Sequence, residues 1–153
     1  MRNRSYVIAF VLALVLGTFV TTPHASAQAR FSVLVFSKVN GFYHDSIPAG
    51  QQAITELGAE HDFDVTVSDD PTLFTDEGLT GFDAVVFNNT NSRDGAILDA
   101  AQRAAFERYV RAGGGYTGIH SASGTEYDWP WYGELMGAFF KSHPAVQPVG
   151  IQV

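Results

Sequence analysis

The side chains best suited to chemistry in this chain are histidines and carboxylates set among glycines and aromatic rings. His44 stands in Asn40-Gly41-Phe42-Tyr43-His44-Asp45. There an Asn-Gly turn exposes the imidazole, and Phe42 and Tyr43 are positioned to line a pocket. A neutral imidazole accepts a proton or binds a metal near physiological pH. His120 stands in Gly118-Ile119-His120-Ser121-Ala122-Ser123-Gly124, which reads as strand, tight turn and small residues. That layout suits the strand-to-helix elbow that presents nucleophiles in α/β enzymes. Histidine is not an ordinary nucleophile at such a place, and the alternatives Ser121 and Ser123 have no evident base. Backbone N–H groups of such a turn suit a carbonyl or an anion. The plainer reading of both histidines is structural, holding or capping their own turns.

Glu126, Tyr127, Asp128, Trp129, Trp131 and Tyr132 follow. Carboxylates beside indole and phenol rings suit a polyol, because sugar faces pack on rings and hydroxyls donate to carboxylates. The same rings equally suit a core beneath a loop. Phe139-Phe140-Lys141-Ser142-His143-Pro144 adds a third histidine to the set. His44, His120 and His143 with Glu126 or Asp128 offer ligands for a divalent metal such as zinc or manganese. Their spacing matches no short metal motif.

The elements that must position these groups begin after a leader. Arg2 and Arg4 precede an apolar run from Tyr6 to Val20, and Ala25-Ser26-Ala27 and Ala27-Gln28-Ala29 offer small-x-small cleavage sites. This is the layout of a secretory signal peptide over residues 1–29, with a mature domain over 30–153 that is secreted or extracytoplasmic. The apolar run is short for a spanning helix, so no stable membrane span is expected after cleavage. A formal charge of −7 with few lysines argues against nucleic acid as a partner. With no cysteine, thiol nucleophiles, thiolate metal sites and disulfides are excluded.

Phe31 to Phe36 reads as a buried strand. Ser46 is placed to cap a helix carrying Ile47, Pro48, Ala53, Ile54 and Leu57, with Gly58 helping to end it. Phe63 to Val67 alternates as an edge strand, Thr75-Asp76-Glu77 caps a short helix, and Ala84 to Phe87 is a third strand. Asp99 and Gln102 form a capping box for a helix whose apolar stripe includes Ala101, Ala105 and Tyr109. Gly113 to Gly115 stops it, and Tyr116 to Ile119 enters as a fourth strand. Strands alternating with helices predict an α/β fold, a mainly parallel sheet with helices on both faces. Its working crevice lies beyond the carboxyl ends of the strands, where Asn40 to Asp45, Asn88 to Thr90 and His120 to Asp128 should meet. Pro148 to Val153 reads as the start of another strand, so the chain is expected to be a fragment, incomplete at its carboxyl end and poorly soluble alone.

These segments together resemble the ThuA-like (trehalose utilisation) domain family, within the class I glutamine-amidotransferase-like fold group. The resemblance rests on Val33 to Ser37, Asn40 to Pro48, Phe106 to Val110, Gly118 to Ser121, Thr125 to Tyr132 and Phe140 to Pro144. It implies a flavodoxin-like fold, a role in carbohydrate metabolism, and further domains in the full-length protein. In the amidotransferases the elbow resembles Gly-Ile-Cys, whereas this chain has Gly118-Ile119-His120, so glutamine hydrolysis by a thiol is not expected.

Two functions follow. One is an enzyme acting on a sugar or oxidised sugar derivative. His44 and His120 would then move protons or hold a metal, with Glu126 or Asp128 as acid/base partner. Asn40, Phe42, Tyr43, Asn89, Ser121 and Trp129 would contact the substrate. The other is a non-catalytic carbohydrate-binding or scaffold domain with the same pocket. Convergence of His44, His120 and a carboxylate in one small volume separates the two.

Overall fold

A computed structural model describes residues 31–152 except Asp94 and Val146. The leader expected over residues 1–29 lies outside the described residues. Four parallel strands, β1 (Ser32–Phe36), β2 (Asp64–Ser68), β3 (Ala84–Asn88) and β4 (Gly115–Ile119), form one sheet in the order β2-β1-β3-β4. This is the flavodoxin-like order, and β2 lies at the edge as its alternation predicts. The helices are α1 (Ile47–His61), α2 (Asp76–Leu79), α3 (Ala100–Arg111) and α4 (Pro130–Met136).

Alternation along the strands divides the core in two. Val33, Val35 and Val86 face α1, where Ile54, Phe63 and Val65 close over them. Leu34, Phe36, Val85 and Phe87 face the other way, into the larger core with Phe74, Phe106 and Tyr132. Phe87 and Phe106 stack at 5.6 Å between centroids. Both are fully buried, so truncating either to Ala costs about 3–5 kcal/mol. The sheet is therefore covered on both faces.

Local signals act much as expected. The Asp99 carboxylate accepts from Ala101 N and Gln102 N, and the Gln102 side chain accepts from Asp99 N, completing the capping box of α3. Thr75 Oγ1 accepts from Gly78 N at the start of α2. Three readings need correction. Ser46 makes no side-chain cap; its backbone is already helical, and Ile47 N donates to His44 O instead. Gly58 does not end α1, which runs on to His61 and stops at Asp62 in the left-handed region. What Gly58 permits is close approach, since a Cβ there would stand 2.7 Å from Phe63 O. Leu57 is exposed rather than packed on the sheet. A fourth difference is at the end of the chain, where residues 148–152 carry no strand. Among the described residues no helix is long and apolar enough to cross a membrane.

Candidate functional site

Polar segments leave β1, β3 and β4 at the carboxyl edge of the sheet and are tied together there. Val39 bridges Asn91 in parallel, and Asn91 Nδ2 donates to Phe42 O, to Asn89 O and to Ser121 Oγ. Gly41 allows this approach, because a Cβ on it would stand 2.5 Å from Asn91 Oδ1. The segments after β1 and β3 thus meet the elbow after β4, as expected for a crevice beside the point where strand order reverses.

His120 opens that elbow with φ +54, and Asn89, on the neighbouring strand end, has φ +57. Side chains other than glycine seldom adopt this region, and held examples cluster at sites of function. The two residues face each other, with His120 Nδ1 2.8 Å from Asn89 Oδ1. A chain of donors fixes the roles. Asn88 Nδ2 donates to Ile47 O, a carbonyl that can only accept, so Asn88 Oδ1 points the other way. Asn89 Nδ2 donates to that oxygen at 3.1 Å, which leaves Asn89 Oδ1 as an acceptor. His120 Nδ1 therefore carries the proton, and its Nε2 holds a lone pair in the neutral ring.

The His44 ring meets the His120 ring edge-to-face at 4.6 Å, and Phe42 meets His44 in the same way at 4.9 Å. Burial first, and then the neighbouring His120 imidazole, hold the His44 pKa below the ordinary histidine value; Asp45 opposes them. His44 is thus biased towards the neutral ring. Ser121 Oγ donates to Asn89 O at 3.0 Å, so its hydroxyl braces the Asn89 turn and is not poised as a nucleophile.

A cavity of about 590 Å³ opens over these rings, within the range of small-molecule sites. Phe42, His44, His120, Ser121, Phe140 and His143 contribute to its wall. An adjoining cavity of about 680 Å³ shares Phe42, His44, Arg93, Ser121 and Phe140 with it and adds Tyr127 and Lys141. Together they form one open groove.

The carboxylates stand elsewhere. Glu126 is fully buried, and its Oε1 accepts from Ile97 N and Leu98 N at 2.8 and 2.9 Å. Its Oε2 accepts from Arg103 Nε at 2.6 Å, and Arg103 Nη2 also reaches Asp128 Oδ1 at 2.6 Å. Neither carboxylate lines the groove. Trp129 belongs to the core, stacked on Tyr132 at 5.9 Å with the Arg103 guanidinium over its ring. Tyr43 is exposed outside the groove, and Asn40 contributes only a backbone N–H to Asn91 O. Among the described residues no group of three or more His, Asp or Glu side chains is placed to hold a metal ion. The structure thus brings together His44, His120, Asn89, Ser121 and Phe42, with His143 on the same wall, and leaves Glu126, Asp128 and Trp129 apart.

Sequence reasoning missed the relay from Asn88 through Asn89 to His120, the tie made by Asn91, and the contributions of Arg93 and Phe140. Three asparagines within Asn88-Asn89-Thr90-Asn91, directly after an apolar strand, were the available signal, because buried amides must pair with something.

No curated protein matches the chain. The described fold is similar to the crystal structure of a ThuA-like protein from Bacteroides uniformis, with TM-score 0.52 and 26% identity over 74% of this chain and 46% of that one. The chain thus spans about half the length of that relative. The family model for ThuA, described as trehalose utilisation, matches residues 32–153. With its parallel sheet, its strand order and a match across nearly all of its described length, the chain belongs to the ThuA family.

Proposed function

We propose that the groove over His44 and His120 takes a sugar or an oxidised sugar derivative and that His120 Nε2 exchanges protons with it. The family description, trehalose utilisation, supports a sugar as ligand. The observation that carries the chemistry is the Asn89–His120 hydrogen bond, which takes up the Nδ1 proton and, in the neutral ring, leaves the Nε2 lone pair unused on a residue that lines the groove. A base needs its proton-accepting atom free and its orientation held by a third group, and Asn89 supplies the second condition. His44, biased to its neutral form, stands against His120 as the partner through which the proton is passed. Phe42 and Phe140 offer ring faces to the apolar side of a sugar. Glu126 and Asp128 take no part in this reading, because both pair with Arg103 and neither lines the groove. The setting we infer is extracytoplasmic, on the strength of the leader-like residues 1–29.

The test is turnover by the full-length mature protein of trehalose, glucose and their keto derivatives, compared with His120→Ala and Asn89→Gly. General acid/base catalysis is worth about 10²–10⁴-fold, and His120→Ala should lose that much. Binding of sugars without turnover, weakened by Phe42→Ala, would instead make this a carbohydrate-binding domain. Metal retained by the wild type and lost on His44→Ala and His120→Ala would replace the proton-transfer role with metal ligation.

A further inference from the structure

We propose that the ligand of this groove is an anionic sugar, whose carboxylate or phosphate group pairs with Arg93 and Lys141 while the sugar ring lies against Phe42 and Phe140. The inference rests on the sugar reading of the site and adds the charge of the substrate.

The charge distribution carries it. The chain has 9 Lys and Arg against 16 Asp and Glu, so an arbitrary patch of its surface is more often acidic than basic. The groove reverses that balance. Arg93 lines both of its parts and Lys141 one of them, and among the described residues no Asp or Glu lines either. The ion pairs formed among the described residues engage Arg103, Arg108 and Arg111, at places remote from the groove lining. Arg93 and Lys141 are exposed, so they meet an incoming anion without first leaving a buried partner. A concave surface of one sign draws ligands of the other sign and raises their local concentration.

The placing of the cations is as informative as their number. Arg93 follows Ser92, whose N donates to Gly124 O and whose Oγ bonds Thr125 Oγ1 at 2.9 Å, so the backbone bearing the guanidinium is pinned to the elbow after β4. Lys141 follows Phe140, whose N donates to Ser123 O and whose carbonyl accepts from Tyr127 Oη. Both cations are thus carried by backbone anchored around the same elbow as His120. An anionic group held there would leave the rest of a sugar to extend over the Phe42 and His120 rings. A guanidinium fork pairs with carboxylate or phosphate oxygens in two parallel hydrogen bonds, and an ammonium adds a point charge.

The experiment is an NMR titration of the full mature protein with glucose, glucuronate, glucose 6-phosphate and inorganic phosphate, repeated on Arg93→Gln and Lys141→Gln. Charge-assisted hydrogen bonds predict that one of the anionic sugars binds about tenfold or more tightly than glucose. Each variant should bring that sugar towards the level of glucose, with His120 resonances still shifting. Preference for glucuronate identifies a carboxylate ligand, and preference for glucose 6-phosphate identifies a phosphate. Equal affinity for glucose and both anionic sugars overturns the inference while leaving the sugar site intact. Inorganic phosphate binding as tightly as the preferred anionic sugar also overturns it, since the ring then adds nothing. If no sugar of either charge shifts the His44 and His120 resonances, the sugar reading itself is what fails.

Discussion

Two polar clusters stand at the carboxyl side of the sheet, and they are built on opposite principles. Around Glu126 every charge is answered: two backbone N–H groups and a guanidinium surround a carboxylate with no exposure, and Asp128 meets the other side of Arg103. Around His120, among the described residues, only one nitrogen is answered, by Asn89, and the ring stands at a groove. Both centres use a residue with positive φ, +56 at Glu126 and +54 at His120. Backbone strain alone therefore does not mark the reactive group. What distinguishes them is whether the side chain is left with unused bonding capacity where a ligand can reach it.

The contrast is broken most forcefully at Glu126. Glu126→Ala removes one partner of a buried ion pair and orphans two N–H donors. It should destabilise the fold by about 3 kcal/mol or more in chemical denaturation. Were activity lost in a Glu126 variant that kept its stability, the clamp would belong to the site after all. His120→Ala should do the reverse, lowering turnover by about 10²–10⁴-fold while costing less stability than Glu126→Ala, because the ring is exposed and the loss is confined to one hydrogen bond and an alanine at positive φ. Asn89→Gly keeps the left-handed backbone but removes the acceptor that holds the tautomer. We expect roughly 10²-fold loss in kcat with a folded protein, since a misassigned tautomer disables a histidine whose other contacts are intact.

The smallest effect is one of pH. The folded state holds the His44 pKa below 6.5, so the unfolded chain binds the proton more readily. The contribution of a neutral His44 is fully present above the ordinary histidine pKa and is lost as pH falls through its lowered value. Melting temperature should therefore decline on acidification through that window, and His44→Gln should flatten the decline.

Much of the scaffold was legible because its signals are local. The capping box at Asp99 and Gln102, the apolar run of Val33 to Phe36 and the glycine stop after Arg111 each act within a few residues. The first and third polar segments and Asn88 to Thr90 also converge where the strand order requires. What misled was continuity in sequence. Glu126 and Asp128 follow His120 closely, but the chain turns at Glu126 and carries both carboxylates to α3. A signal for this was present. Arg103 precedes the buried Phe106 by one helical turn, so it lies on the core-facing side of α3, where a guanidinium requires a carboxylate. The relay from Ile47 O through Asn88 and Asn89 to His120 joins residues 41 and 31 positions apart, beyond any local pattern.

The central claim is that His120 is held with its proton on Nδ1 and its Nε2 open to the groove. Nitrogen-detected NMR of the histidine side chains in the full mature protein, near neutral pH, tests it directly. The Nδ1–H tautomer at His120, shifting towards a mixture in Asn89→Gly, is the predicted result. An Nε2–H tautomer in the wild type, unchanged by that substitution, would contradict it.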